Sequence, residues 1–415
     1  MLVAGFCLSF NSGSAQQPGG AAKAKALVKQ ASKALKNQHT ATAIALYEQA
    51  LQQDSSLTKV HYNLANLYTA QHQPSNAAAH YRYVARTASK KYPDATLKLA
   101  EAFQQTHRFE EAHKLYTTVL SETKLKHWEK REMLEKKLAE CVSGIELLKT
   151  PAAVTVNNAG KELNTKNTEN GPFFVKQGQN LLFQSTEVTA APVKKKKNAP
   201  LPSTISAAKT LNEYKAPAKV KALAGKGVVV SASADGSELY LYNEVNGGDL
   251  YVTKKTGPDT WSEPVALPEP INSKYKETAV YFSADGDYVF FSSDRPEGLG
   301  GLDLYISMRQ PDGTWSEAMN LGGHVNSFYD EDRPFIDPEL NVLYFSSKGH
   351  NSMGGYDIFR SAITDVVWAK AENCGYPINT AQDDMAFTML PGGKSGLFAS
   401  NREGGQGSFD LYQVT

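Results

Sequence analysis

Four aspartates open four nearly identical triplets, and their spacing limits the chemistry they can do. Asp249, Asp303, Asp357 and Asp410 each start an Asp-Leu/Ile-Tyr/Phe triplet, at steps of 54, 54 and 53 residues. A catalytic carboxylate pair needs two different environments, one for an acid and one for a base. One aspartate per repeat, always at the same position, is the opposite pattern. It predicts a repeated local task, the acceptance of backbone N–H groups at the Gly-rich turn before each triplet. The arginines divide differently. Arg295 and Arg402 share the slot after the second strand of their repeats, and Lys348 nearly fills it in another. That slot reads as a cap on a strand end. Arg333 stands elsewhere in its repeat, so no arginine cluster for a carboxylate emerges.

Other reactive patterns are missing. Gly393-Lys-Ser-Gly lacks the spacing of a nucleophile elbow, and no His-Glu-x-x-His, phosphate loop or paired-cysteine motif occurs. Pro311-Asp-Gly-Thr-Trp315 only brushes the sialidase box. Three cysteines, Cys7, Cys141 and Cys374, offer no metal-ligand spacing. A Cys141–Cys374 bridge requires an oxidising compartment, and a buried free thiol is commoner. The expectation is therefore no catalytic residue, no cofactor and no metal.

The elements that position these residues repeat too. Trp261, Trp315 and Trp368 recur at 54 and 53 residues, as do Ile271-Asn-Ser, Val325-Asn-Ser and Ile378-Asn-Thr. Each unit holds four strand-like runs, in the best copy Ala279–Ser283, Tyr288–Ser292, Asp303–Met308 and Thr314–Asn320. The first two flank Ala-Asp-Gly-Asp, a hairpin signal. Units of this length built of short strands read as propeller blades. Starts fall near Leu163, Pro217, Ile271, Val325 and Ile378. The last unit stops after three strands, and residues 152–163 read as an orphan fourth. The expected fold is a five-bladed β-propeller over 151–415, closed by an N-terminal strand. Its first unit is degraded, with prolines and Lys194–Lys197 where a third strand should stand. The lysine run reads as a solvated loop.

Upstream, Ala43-x3-Tyr47, Ala77-x3-Tyr81 and Ala112-x3-Tyr116 recur at 34 and 35 residues. Residues 24–122 resemble three tetratricopeptide repeats, an α-solenoid. Residues 123–150 form a capping helix, with Met133, Leu134, Leu138, Cys141, Val142 and Ile145 on its apolar side. The resemblance places Tyr62, Asn66, Thr69, Leu97, Glu101 and Gln104 on a concave partner-binding groove. Residues 1–15 read as a signal peptide cut after Gly13-Ser14-Ala15, though no Lys or Arg precedes it. Residues 16–23 read as a flexible leader. No later run is long and apolar enough to span a bilayer. A net charge of +1 across 415 residues gives no bulk attraction to nucleic acid or membrane.

Asn-Ser/Thr, Ser-Ala-Asp-Gly, Phe-Ser-Ser-x-Arg, Gly-Gly-x-Asp-Leu-Tyr and Trp-Ser resemble the WD-like repeat of TolB-type propellers. The order, helical repeats and then propeller, resembles PorE-like envelope proteins of Bacteroidetes. Those relatives often add an OmpA-like peptidoglycan-binding domain, which is not expected within these residues. The resemblance implies a non-enzymatic interaction scaffold, exported to the periplasm or outer membrane. It implies envelope-protein partners at the groove and the propeller face, and a link to type IX secretion or gliding. The alternative is a glycan-binding or glycan-active propeller, sialidase-like, with a site the sequence does not display.

Overall fold

A computed structural model describes residues 20–175, 180–187, 203–208, 217–258, 260–337, 341–364, 367–390 and 393–415. The signal peptide, most of the leader and the Lys194–Lys197 run lie outside the described residues. Helices come first and a β-propeller follows. The chain divides into two compact units, one ending at Leu99 and the other beginning at Ala100.

The first unit holds α1 (Gly20–Lys36), α2 (Thr40–Gln53), α3 (Thr58–Ala70), α4 (Pro74–Ala88) and the start of α5 (Ala95–Gln105). Helix α1 begins inside the stretch expected to be leader. Fully buried Ala31, Ala43, Ala50, Ala65 and Ala77 let neighbouring helices approach closely around Tyr47 and Tyr81. Pro74 starts α4, where its missing N–H costs nothing.

The second unit begins within α5 and adds α6 (Phe109–Glu122) and α7 (Trp128–Lys149). The boundary therefore falls inside the third expected repeat. The physical reason is that this helical segment bonds to the propeller. Gln104 Nε2 donates to the Met353 carbonyl (3.1 Å), and Gln382 Nε2 donates to the Gln105 carbonyl (2.8 Å). The ring of His107 meets Tyr376 edge-on. Helix α7 turns Leu134, Cys141 and Gly144 inward, whereas Val142, expected on the apolar side, is exposed. A Cβ on Gly144 would lie 2.5 Å from the Phe109 ring, so glycine sets the approach of α7 to α6. Cys141 and Cys374 are both free thiols.

The first strand, β1 (Val156–Asn158), is followed by four units of consecutive strands. They are β2–β5 (Thr168–Val175, Asn180–Thr186, Ser203–Ala208, Ala218–Lys219) and β6–β9 (Val228–Ala232, Glu238–Asn243, Asp249–Lys254, Val265–Ala266). Next come β10–β13 (Glu277–Phe282, Tyr288–Ser293, Asp303–Met308, Met319–Asn320). Then come β14–β18 (Glu331–Asp337, Val342–Ser347, Asp357–Thr364, Val367–Trp368, Glu372–Asn373). The last strands are β19 (Asp384–Met389), β20 (Gly396–Ser400) and β21 (Asp410–Val414).

Among the described residues these strands form five antiparallel sheets, and β1 is the outer strand of the last, in the order β1-β21-β20-β19. Val156 pairs with Val414 and Asn158 with Tyr412. Thr155 and Thr415 exchange backbone bonds of 2.8 and 3.0 Å. The edge of β21 is thereby covered. The innermost strands β2, β6, β10, β14 and β19 contact one another in cyclic order. The degraded first unit does have a third strand. It is β4, displaced beyond the proline- and lysine-rich stretch and paired with β3 from Asn180–Ala208 to Ser185–Ser203. The outermost strands are shorter than expected. Of Thr314–Asn320 only Met319–Asn320 is strand, with an isolated bridge from Trp315 to Arg309.

Candidate functional site

Residues that repeat identically in this propeller hold strands together. Asn272 Oδ1 accepts from the Leu250 N–H and Nδ2 donates to the Leu250 carbonyl, both at 2.8 Å. Asn326 treats Leu304 in the same way, Asn379 treats Ile358, and Asn164 treats Leu411. Each amide thus imitates one strand pairing, tying a sheet to its neighbour. Three of the four triplet aspartates accept backbone N–H groups at the Gly-rich turn, while Asp249 accepts from the Asn246 side-chain amide. Asp357 accepts from the Met353 N–H (2.9 Å), Asp410 from Gln406 (2.7 Å), and Asp303 from Leu299.

A second repeated carboxylate was not singled out in the sequence. Glu169, Glu277, Glu331 and Asp384 begin their innermost strands and are wholly buried. Each accepts the N–H and hydroxyl of a Ser or Thr four residues earlier, as Glu277 does from Ser273 at 3.1 and 2.7 Å. The signal was present as Asn-Ser/Thr-x3-Glu/Asp. Arg295 and Arg402 bind this carboxylate at Glu277 and Asp384 and cap the carbonyls of residues 270–271 and 377–378. In the intervening sheet Lys348 bonds Asp330 instead, at 2.8 Å. Glu331 has no cation among the described residues, and burial pushes it up to about 7 against the Ser327 and Ser347 hydroxyls.

The repeat is broken at one level of the inner strands. The residues following these carboxylates are Asn170, Thr278, Asp332 and Met385, all different. Asp332 Oδ1 accepts from Thr278 Oγ1 on the neighbouring sheet and from the Arg333 N–H, both at 2.9 Å. Arg333 adopts φ +57, as does Ala386 at its place in β19 and, at +58, Gly171 in β2. Left-handed backbone at an arginine costs energy that its surroundings must supply. The shift in register it marks turns the arginine toward the axis. There it lines a cavity of about 70 Å³ walled by Phe173, Phe174, Val230, Tyr281, Phe335 and Phe387.

Above that cavity the mouth is acidic and aromatic. The phenol of Tyr356 is pushed up by burial and by the charges of Asp332, Asp330 and Asp383, with Arg333 opposing. Tyr242 is raised likewise, by burial and then by Glu244, Asp294 and Asp332. Burial would raise Asp330, but bonds from Lys348 and the Leu302 N–H hold it below the usual range. Asp383 takes the Tyr356 N–H at 2.9 Å. Helix α7 reaches this end through Lys136, whose Nζ lies 3.9 Å from the Tyr329 ring centre. No group of His, Cys, Asp and Glu among the described residues is arranged to hold a metal.

The expected groove residues fare unevenly. In the first unit Tyr62 donates to Asp94 Oδ2 (2.7 Å) and stacks on Tyr92, while Lys98 Nζ donates to Tyr62 and Asn66. Thr69 Oγ1 turns back to the Ala65 carbonyl, and Leu97 is half-buried. Glu101 and Gln104 fall in the second unit. Gln104 is turned into the protein. It is 3% exposed and bonded to Glu140, Tyr116 and the Met353 carbonyl. Buried His61 and half-buried His80 have Nδ1 atoms 2.9 Å apart, and desolvation lowers both, His80 to about 4.

No family model and no curated protein matches this chain. Solved structures do. A glycoside hydrolase is 11% identical at TM-score 0.45, covering 66% of this chain and 94% of its own. A GH43 β-xylosidase/α-arabinofuranosidase from a compost microbial metagenome is 11% identical at 0.40, covering 64% and 94%. The Sgt2 TPR domain from Aspergillus fumigatus is 21% identical at 0.23, covering 33% and 91%. These findings correct the expected kinship with tetratricopeptide, TolB-type, PorE-like envelope proteins. No family model matches, and the first two structures, which span about two thirds of the chain, are glycoside hydrolases. The reading as a non-enzymatic scaffold of secretion or gliding, and the expectation of no enzyme, fall with it. With TM-scores below 0.5, no reaction passes from those structures to this chain.

Proposed function

We propose that this chain is a glycan-active propeller protein that takes its substrate at the polar mouth of the propeller axis. The observation that carries the reading is the break in the repeat at Asp332-Arg333. A carboxylate and a guanidinium stand there where the other sheets place Asn170-Gly171 and Met385-Ala386. Tyr242, Tyr356, Asp294, Asp330 and Asp383 lie around them. Sugar sites combine aromatic faces for ring C–H groups with a few polar groups for hydroxyls. Glycoside hydrolysis needs two carboxyl groups flanking the scissile bond. Asp332 supplies one, and the second comes from Asp294, Asp330 or Asp383. The buried Glu277 and its equivalents are excluded, because their oxygens are already saturated.

The reading takes the helices as a solenoid and the five sheets as one closed ring. It also places the chain outside the cytoplasm, with mature protein starting at Gln16 and envelope partners at Tyr62, Asn66, Thr69 and Leu97. Sequencing the mature N-terminus checks export, and an intact residue 1 in the cytoplasm would count against it. For the reaction, the test is reducing-sugar release from a panel of neutral and acidic oligosaccharides. One glycoside class should be cleaved, and Asp332→Asn should lower kcat/KM by about 10²–10⁴-fold, the usual worth of general acid–base catalysis. No binding and no cleavage across the panel would contradict the reading.

A further inference from the structure

Arg333 is the least satisfied charged group at the axis. Its Nε is buried with no hydrogen-bond partner. Its nearest carboxylate oxygen, Asp332 Oδ2, is 3.8 Å from Nε, beyond hydrogen-bond range. Asp332 spends Oδ1 on Thr278 and the Arg333 N–H instead. The terminal nitrogens donate to no described residue. Nη1 reaches across the axis to the β2 side, where a Cβ on Gly171 would stand 3.7 Å from it. Arg295 and Arg402, by contrast, each bind a carboxylate, a hydroxyl and two carbonyls. A buried polar group left unpaired calls for an explanation, and a missing ligand is one. Half-burying a guanidinium among phenylalanines, with one carboxylate at 3.8 Å and Nε unpaired, is costly unless another acceptor completes it.

We propose that Arg333 recognises a carboxylate, so that the glycans taken at this mouth bear uronic acids; this rests on the glycan reading above. The guanidinium is a planar fork, and a carboxylate presents two oxygens in one plane at matching spacing. The cavity of about 70 Å³ is several times the ~10–15 Å³ that one water needs, so a carboxylate fits beside Arg333. In this reading the ring that carries it lies toward the mouth, with the carboxylate at Arg333. The Asp332 charge beside it disfavours free halide or phosphate and demands that the anion arrive on a scaffold held by other contacts. Asn170 adds a polar group at this level, its Oδ1 bound to the Gly171 N–H and its amide nitrogen without a partner among described residues.

The test is calorimetric titration of the full chain with uronate oligomers of the galacto, gluco and manno series. Their methyl esters and neutral arabino- and xylo-oligosaccharides are run beside them. One uronate series should bind, and its ester at least tenfold more weakly. Arg333→Gln should match the esterification loss, and Arg333→Lys should restore part of it. If Arg333→Gln fails to fold, the ester comparison on the unaltered protein still decides. Neutral or esterified oligomers bound as tightly as the acids would overturn this inference and leave the glycan reading standing. Failure of every oligomer, neutral ones included, would overturn the glycan reading first and this inference with it.

Discussion

At the scale of the residue, carboxylates in this chain do two kinds of work. Those that recur accept donors and hold strands, the inner-strand carboxylates such as Glu277 on both oxygens; Asp332, which does not recur, faces the axis. Glu331 belongs to the first kind but lacks the arginine its counterparts have, and burial raises it to about 7. An acid raised in the folded state binds more protons there than when unfolded. Its contribution is present below the unfolded carboxylate value and is lost as pH rises through about 7. The propeller's melting temperature should therefore fall between pH 5 and pH 8, and Glu331→Gln should flatten that slope, as scanning calorimetry would show. An unchanged slope would mean that Glu331 is ionised and paired by something else. The sequence displayed the tasks of Asp303, Asp357, Asp410, Arg295 and Arg402, because a repeated residue announces a repeated job. It set Arg333 apart by position. It did not display Asp332, because one aspartate in an irregular slot looks like any surface aspartate until the ring brings five strands to one axis.

At the scale of the element, local rules placed most strands and helices, and packing decided the exceptions. In the first unit the third strand, β4, lies at Ser203–Ala208, a run free of Pro and Lys. Val142 kept helical spacing yet faces solvent, because Glu140 and Gly144 occupy the buried stripe. Gly144 is the sharpest case. Its added methyl would meet the buried Phe109 ring, which is itself held at 2% exposure. Gly144→Ala should destabilise the second unit by about 1–3 kcal/mol, the usual cost of overpacking, despite alanine's better helix propensity. Chemical denaturation measures this. A stabilised Gly144→Ala variant would show that α7 can shift away from α6 freely.

At the scale of the whole molecule, the pairing of β1 with β21 was legible because the last unit lacked a strand and the stretch before the first unit supplied it. What was not legible was the point of division at Leu99–Ala100, since bonds such as that from Gln104 to Met353 join residues 249 apart in sequence. The closing contacts should be selectively fragile. Asn164 bonds both backbone groups of Leu411 and also Asn158, whereas Asn379 serves two consecutive sheets. Asn164→Ala should speed hydrogen exchange at residues 156–158 and 411–414, while Asn379→Ala should leave those amides protected. Equal exchange in both variants would deny Asn164 a special part in closure.

The central claim is that the axial mouth, and not the repeated carboxylates, acts on glycan. Its most direct measurement compares kcat/KM and melting temperature for Asp332→Asn and Glu277→Gln on the substrate found by the oligosaccharide panel. Asp332→Asn should lose about 10²-fold or more in kcat/KM with its melting temperature nearly kept. Glu277→Gln should melt earlier and retain its activity per folded molecule, having weakened only the bonds to Ser273, Ser293 and Arg295. Undiminished turnover by a folded Asp332→Asn, or its loss in a folded Glu277→Gln, would contradict the account.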